Sequence, residues 1–223
     1  MRFKTLLSVV ALSLLIPFSR AADVFYFPQI GDGVVGSIQF RTSFIFVSTG
    51  EATTIRVEFF RSETDAEPLV VTLLQGEQEL GTDSVFDIPL AKGASIALET
   101  AGTGAIAVGY ARVTVATNGD VGGTAVFTRA DDGVVLYEAG VPAVKELNDF
   151  TIFVDTVGTR NTGLALVNVA DGQGASPSQA DREVTLNLFG TDATSIATTN
   201  VPLGPGRHLP RFVPELFNKV PEA

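Results

Sequence analysis

The 223-residue sequence contains no cysteine, no tryptophan and a single histidine, His208. Without cysteine the chain cannot form a disulfide framework, a thiolate zinc site, an iron–sulfur cluster, a cysteine nucleophile or a lipid-anchored lipoprotein cysteine. Basic residues are also scarce, because 15 Lys and Arg stand against 25 Asp and Glu, for a net charge of −10. This charge repels a phosphate backbone, so we expect no nucleic acid partner.

The first 21 residues have the pattern of a secretory signal peptide. Two basic residues precede an apolar run from Thr5 to Phe18, and Ser19-Arg20-Ala21 supplies the small side chains that a signal peptidase accepts. The run has 14 residues, whereas a membrane-spanning helix needs about 20. We therefore predict cleavage after Ala21, no transmembrane segment after cleavage, and a secreted, periplasmic or cell-surface location.

Apolar residues make up 45% of the chain, which is typical of a globular protein with a packed core. They occupy alternate positions in many short segments, as Ile55, Val57 and Phe59 do in Thr53–Arg61. A period of two predicts half-buried β-strands, and the Gly- and Asp-rich turns between them favour antiparallel pairing. One window, Val213–Asn218, has a helical period. The predicted strands are Phe25–Ile30, Ile38–Ser48, Thr53–Arg61, Leu69–Leu74, Ser95–Glu99, Ile106–Val115, Thr124–Thr128, Val134–Ala139, Phe150–Asp155, Leu164–Val169 and Glu183–Phe189.

The same plan occurs twice along the chain, which indicates an internal repeat. Three segments of the first half match three of the second: Phe44–Ser48 with Leu164–Asn168 at an offset of 120 residues, Ile55–Phe59 with Val184–Leu188 at 129, and Ile88–Gly93 with Val201–Gly206 at 113. The alternative is chance similarity among short alternating strands. We predict an all-β fold of two tandem antiparallel β-sandwich units, Ig-like or jelly-roll-like, over residues 22–145 and 146–223.

The second of these units is shorter than the first. The first copy continues through about three further strands after its Pro-Leu motif, whereas the second copy reaches Ala223 soon after its own. A unit without those strands has open sheet edges. Truncation of a longer protein, remodelling of the second unit, or strands supplied by a partner chain would each account for this, and the sequence favours truncation.

The arrangement resembles an uncharacterised tandem β-sandwich repeat module of secreted bacterial surface proteins. The resemblance rests on the Tyr26-Phe27-Pro28-Gln29 opening, the strands ending in Val47-Ser48 and Val167-Asn168, the Pro-Leu-x-x-Gly turn, and the closing segment from Glu138 to Pro142. It implies a β-sandwich and an exported location, with no established activity. The short second copy departs from the pattern of the module.

Residues for catalysis or sugar binding are few. His208 is the only histidine that could act as a general base, and the Gly-x-Ser-x-Gly motif that would carry a nucleophilic serine is absent from the sequence. We therefore expect His208 to be an exposed turn or strand-end residue. Nothing in the sequence selects a carboxylate pair for glycoside hydrolysis. Tyr26, Tyr110 and Tyr137 are the candidates for stacking on a sugar, although each is better explained as a strand residue.

Acidic turns make calcium the only cofactor to consider, and we otherwise expect none. Asp131-Asp132 with Asp120, or Asp32 and Asp171, would supply oxygen ligands. None fits the spaced calcium-loop motif, and Asp before Gly is first of all a turn-forming residue. We therefore predict no metal-binding residues.

Phe60 is the one residue that we predict to lie in a binding site. If Ile55, Val57 and Phe59 point inward, Phe60 points outward or lies beneath another element, and it would then mark an interface between the two units. The alternative is a bulge that turns both rings inward. The overall hypothesis is a non-enzymatic exported module with a structural, adhesive or spacer role and a protein or surface partner. The alternative is a carbohydrate-binding or polysaccharide-hydrolysing β-sandwich.

Overall fold

The structure is a computed structural model that describes residues 22–62, 67–116, 119–169 and 180–217. Over these ranges the protein is almost entirely antiparallel β, with fourteen strands and one four-residue helix, which confirms the prediction of an all-β antiparallel fold. The predicted signal peptide and Asp171 lie outside the described residues. No helix in the described ranges is long and apolar enough to cross a membrane.

The elements are named in chain order. They are β1 (Asp23–Val35), β2 (Ile38–Ser48), β3 (Thr53–Arg61), β4 (Val71–Gln75), β5 (Gln78–Asp83), β6 (Val85–Leu90), β7 (Ser95–Thr100), β8 (Ala107–Val115), β9 (Val121–Asp131), β10 (Val134–Pro142), β11 (Gly163–Val167), β12 (Arg182–Phe189), β13 (Ser195–Leu203), β14 (His208–Phe212) and α1 (Val213–Leu216).

Strands β1 to β10 form one nearly closed, barrel-like sheet, which we call the large sheet. Its strand order is β5-β4-β7-β2-β1-β8-β3-β6. Strand β9 also pairs with β2, along the whole length of β2, and β10 pairs with β9. Strand β1 is long: it pairs with β8 from Asp23 to Asp32, with a register shift between Phe27 and Ile30, and its last three residues pair with β2. Two backbone hydrogen bonds between Tyr26 and Val144, of 2.7 and 2.9 Å, bring the chain after β10 back to β1. This contact closes one side of the barrel.

The interior of the large sheet is filled by one cluster of 21 buried apolar residues among those described. Phe27 lies at its centre, with ring centroids 5.4 Å from Phe44 and 5.9 Å from Phe46. Tilted and edge-on aromatic pairs of this kind add about 0.5–1.5 kcal/mol each to the free energy of burial. The alternation in β3 holds as predicted, with Ile55, Val57 and Phe59 pointing inward.

The C-terminal strands form two separate pairs, β11 with β14 and β12 with β13. Their apolar residues gather in a smaller cluster, which we call the small core. Its buried members are Leu186, Leu188, Val201, Val213 and Phe217. The prediction of a strand at Phe150–Asp155 is wrong, since these residues have no strand partner in the described chain.

The pairings in the C-terminal part follow the offsets found in the sequence. In the large sheet Ile55 pairs with Ile88, and in the β12–β13 pair Val184 pairs with Val201, at offsets of 129 and 113 residues. Likewise, the cross-strand pair Val47–Ser95 corresponds to the pair Val167–His208, at offsets of 120 and 113. Four strands of the C-terminal part therefore pair in the same registers as β2, β3, β6 and β7.

Candidate functional site

Phe60 lies on the outer face of the large sheet, as the alternation in β3 predicts. Phe59 is buried in the core, so Phe60, the next residue, points to the opposite side. The antiparallel register places Phe60 opposite Tyr110 of β8, and Glu58 opposite Arg112. Phe60, Tyr110 and Arg112, with Ser62 and His208, form a group that we call the junction cluster.

The large-sheet members of the junction cluster hold one another in place. The Phe60 and Tyr110 rings are stacked, with centroids 5.0 Å apart and planes 20° apart. The Arg112 guanidinium lies 5.3 Å from the centroid of the Phe60 ring and donates two hydrogen bonds to the Glu58 carboxylate, of 2.9 and 3.0 Å. A bidentate pair fixes the guanidinium, and a cation over a ring contributes about 0.5–2 kcal/mol.

His208 connects this face to the C-terminal strands. It is the first residue of β14, only 5% of it is exposed, and its Nδ1 atom lies 2.9 Å from the Ser62 hydroxyl at the end of β3. Its ring centroid is 6.4 Å from that of Tyr110. The expectation of a strand-end histidine is correct, but the expectation of exposure is wrong, because pairing of β14 with β11 lays His208 against the large sheet.

Burial sets the charge state of the junction cluster. Burial lowers the pKa of His208 to about 4, and the nearby carbonyl of Pro28 offsets this only in part. Burial also raises the pKa of Tyr110 to about 12. Both side chains are therefore neutral at pH 7, as expected for groups removed from water.

The pairing of Ser62 with His208 is not a catalytic triad. A triad needs a carboxylate that orients the histidine, and none of the hydrogen bonds among the described residues joins His208 to one. A histidine with a pKa near 4 is also a weak general base at neutral pH. This geometry suits a packing contact in which Ser62, directly after β3, holds His208 at the start of β14.

The predicted calcium ligands lie in separate contacts. Asp32 is buried and accepts a hydrogen bond of 2.7 Å from the Gly102 amide, and burial raises the pKa of its carboxyl group. Asp120 accepts a hydrogen bond of 2.9 Å from the Thr49 hydroxyl, and Asp132 occupies the β9–β10 turn. In the part of the chain that the structure describes, no three His, Asp or Glu side chains are grouped as metal ligands.

The tyrosines considered for sugar stacking lie in different surroundings. Tyr26 and Tyr110 are buried, which removes their faces from any sugar. Tyr137 on β10 is half exposed, and Arg129 donates a hydrogen bond to its hydroxyl while lying over its ring. A hollow of about 390 Å³ lies elsewhere, between β5, β6 and β7. Its one acidic side chain, Asp87, is paired with Arg56 at 3.2 Å, so the hollow lacks two close carboxylates beside a tyrosine.

Sequence reasoning gave the outward direction of Phe60, whereas its role at an interface stays a prediction. It missed Ser62, the contact of Tyr110 with Phe60, and the burial of His208. The pairing of β3 with β8 carries the missing information, because it alone places Tyr110 beside Phe60. Alternation within one strand shows which way a side chain points but not which strand lies beside it.

Comparison with known proteins gives little further information. No family model matches the chain, and no curated protein matches it. Among solved structures the chain is similar to Thermotoga maritima 1070, with 14% sequence identity and a TM-score of 0.38 over 56% of this chain and 96% of that one. A likeness of this size carries no argument about activity, and the resemblance to a surface-protein repeat stays a prediction.

Proposed function

We propose that the protein is a non-enzymatic, exported structural module of two β-sandwich units joined by the junction cluster, with a spacer or adhesive role at the bacterial surface. The observation that carries the two-unit plan is the repeated register of β2, β3, β6 and β7 in β11 to β14. Register is specific, because a slip of one residue turns every side chain to the opposite face.

Turn geometry supports the same plan. The amide of Ala94 bonds to the carbonyl of Ala91, and at an offset of 113 the amide of Arg207 bonds to the carbonyl of Gly204. Gly93 and Gly206, which follow the same offset, have φ values of 70° and 64°. Only glycine adopts this conformation at little cost, so the two turns are alike in sequence and in backbone.

The junction cluster supports a fixed arrangement of the units. Tyr110 lies on the outer face of the large sheet and is nevertheless only 3% exposed, with His208 against it. A buried contact that combines a tilted ring pair with the hydrogen bond between Ser62 and His208 restrains rotation about the connection, which is the property that a spacer needs. The predicted signal peptide favours a role outside the cytoplasm.

Phe60→Asp tests the joint in the protein of residues 22–223. Phe60 stacks on Tyr110, and the Tyr110 ring lies beside His208. We expect calorimetry to show the C-terminal part unfolding at a lower temperature while the large sheet keeps its own transition, because a carboxylate at position 60 cannot hold the Tyr110 ring beside His208. Phe189→Asp, at an exposed position, is the matched control and should leave the joint intact. If Phe60→Asp unfolds the large sheet itself, Phe60 belongs to its packing and the joint is misplaced.

Export is tested separately. We expect the N-terminal sequence of the protein recovered from its producing bacterium to begin at Ala22, in the periplasmic, surface or secreted fraction. Recovery of uncleaved protein from the cytoplasm would contradict the proposed location.

A further inference from the structure

His208 belongs to the C-terminal strands by its backbone and to the large sheet by its side chain. It begins β14 and pairs with Val167 of β11. Its Nδ1 atom lies 2.9 Å from the Ser62 hydroxyl, which also donates a hydrogen bond of 3.5 Å to the His208 carbonyl. Its ring lies beside Tyr110 of β8. A single buried side chain therefore contacts both the end of β3 and the outer face of β8.

A third contact comes from β1. The carbonyl of Pro28 lies near the His208 ring, and the pairing of β1 with β8 skips Pro28 and Gln29 at the register shift. A shift of this kind turns backbone groups away from the strand ladder. The shift thus supplies the carbonyl that faces the imidazole, so that His208 lies against three elements of the large sheet.

These surroundings fit a neutral imidazole better than a charged one. An imidazolium donates a hydrogen bond from both nitrogens and needs two acceptors. The Ser62 hydroxyl can serve Nδ1, whereas Nε2 is buried and makes no hydrogen bond to any described residue. No hydrogen bond in the described chain joins His208 to a carboxylate. A buried cation in such a place costs free energy, so protonation opposes the contact between His208 and the large sheet.

The charged groups around His208 do not compensate an added proton. Arg112 and Glu58 pair with each other through two hydrogen bonds, and Arg56 pairs with Asp87. Arginines outnumber carboxylates in this region, which further disfavours an imidazolium. The titratable and charged side chains that share the face or adjoin His208 are Tyr26 of β1, Arg56, Glu58 and Arg61 of β3, Asp87 of β6, Tyr110 and Arg112 of β8, Glu146 after β10, and Arg207 and Arg211 on either side of His208.

We propose that His208 makes the joint between the two units acid-sensitive: its neutral side chain holds the C-terminal part against the large sheet, and its protonation opens the joint while both parts stay folded. The proposal rests on the two-unit joint proposed above. Histidine suits this role because its ordinary pKa lies within the pH range that an exported protein meets. His208 is the only histidine of the chain, so no second imidazole contributes to the response.

The size of the effect follows from the two protonation equilibria. In the closed joint the pKa of His208 is about 4, whereas a ring released into water has the ordinary value of 6.5. The open form binds the proton more tightly, so a fall in pH favours it. Between pH 7 and pH 5 the ratio of open to closed molecules rises about 20-fold. The buried Asp32 lies within the large sheet, which is folded in both forms, so its titration does not favour either form.

Tyr110 reports the opening, because it is buried in the closed form beside His208. The experiment is hydroxyl-radical oxidation of the protein of residues 22–223 at pH 7, 6 and 5, with each oxidised residue quantified by mass spectrometry. Tyr137 is half exposed and serves as the reference for radical dose. We expect oxidation of Tyr110, relative to Tyr137, to rise about 20-fold from pH 7 to pH 5.

Two buried residues distinguish opening from unfolding. Phe27 lies in the interior of the large sheet and Leu188 in the small core. Both should stay protected from oxidation at pH 5, since the proposal keeps both parts folded. A rise at Phe27 or Leu188 that parallels the rise at Tyr110 would mean that acid unfolds the protein, and it would overturn the proposal.

Two variants test whether His208 is the group that titrates. His208→Gln does not titrate, so its Tyr110 oxidation should be the same at pH 7 and pH 5. Ser62→Ala removes the hydrogen-bond partner and keeps the imidazole, so it should raise Tyr110 oxidation at each pH and retain the 20-fold dependence. Constant Tyr110 oxidation in the wild type overturns the proposal, and so does a rise that persists in His208→Gln.

These results are separate from those for the joint itself. Phe60→Asp tests whether the joint exists, whereas the pH series tests whether His208 controls it. A Phe60→Asp effect confined to the C-terminal part, together with Tyr110 oxidation that does not change with pH, would remove the acid response and leave the two-unit module standing.

Discussion

His208 makes the stability of the protein depend on pH between 7 and 5. Its pKa is about 4 in the folded protein, against an ordinary value of 6.5. Between these values the unfolded chain binds a proton that the folded chain does not, so the free energy of unfolding falls as the pH falls. Applying the linkage relation to these two pKa values gives a loss of about 2 kcal/mol between pH 7 and pH 5.

Urea unfolding of the wild type and of His208→Gln, at pH 7, 6 and 5, measures this contribution. The glutamine keeps a polar group near Ser62 and does not titrate, so the difference in unfolding free energy between the two proteins should narrow by about 2 kcal/mol from pH 7 to pH 5. Burial raises the pKa of Asp32, which stabilises the fold as the pH falls. Both proteins keep Asp32, so its effect cancels.

Ser62→Ala is the control, because it removes the hydroxyl partner and retains the buried imidazole. Its stability should depend on pH as the wild type does. A pH dependence that is the same in the wild type and in His208→Gln would refute the reasoning, since it would mean that His208 titrates in the folded state as it does in water.

Three further predictions concern backbone contacts. Gly109→Ala should lower the free energy of unfolding of the large sheet, measured in urea, by about 3 kcal/mol, because the added Cβ would clash with the Phe60 carbonyl oxygen. Gly122→Ala is the control and should be close to neutral, because its added Cβ has nothing within 4 Å. Equal effects of the two substitutions would contradict this prediction. Thr162→Val should speed amide exchange at Asp155 without changing the urea midpoint of the large sheet, because the Thr162 hydroxyl accepts a hydrogen bond of 2.8 Å from that amide. Unchanged exchange would show that this bond does not protect the amide. Asn168→Ala should lower the free energy of unfolding of the C-terminal part by about 2 kcal/mol. The Asn168 amide nitrogen donates to the carbonyls of Ala180, Leu203 and Gly204 at 2.9–3.1 Å. An unchanged free energy of unfolding in urea would show that these hydrogen bonds contribute nothing.

The sequence predicts strands best where alternation is strong. Strands β2 and β3 have the predicted bounds, and the short helix lies within the predicted Val213–Asn218 window. Strands β5, β6, β13 and β14 were not predicted, because they are polar or interrupted by proline, as β14 is at Pro210. Pairing with a neighbour, rather than local pattern, makes them strands.

The failure at residues 150–155 has the opposite cause. Phe150, Ile152 and Val154 alternate as in a strand, yet the residues pair with no strand in the described chain. A strand exists only with a partner, so alternation alone does not make one. Similarly, alternation in β3 gives the direction of Phe60, whereas its contacts with Tyr110 and Arg112 depend on a register that one strand does not encode.

Each copy of the repeated plan carries a proline in its edge strand, Pro89 opposite Thr54 in β6 and Pro202 opposite Glu183 in β13. Proline has no amide hydrogen and fits an edge strand when its nitrogen faces away from the neighbour. The outer edges of β6 and β13 therefore resist the uncontrolled stacking of sheets that leads to fibres. Strand β12 contains no proline, and among the described residues it pairs only with β13. Addition of a further strand is therefore hindered at the outer edges of β6 and β13 and is not hindered in this way at the other edge of β12.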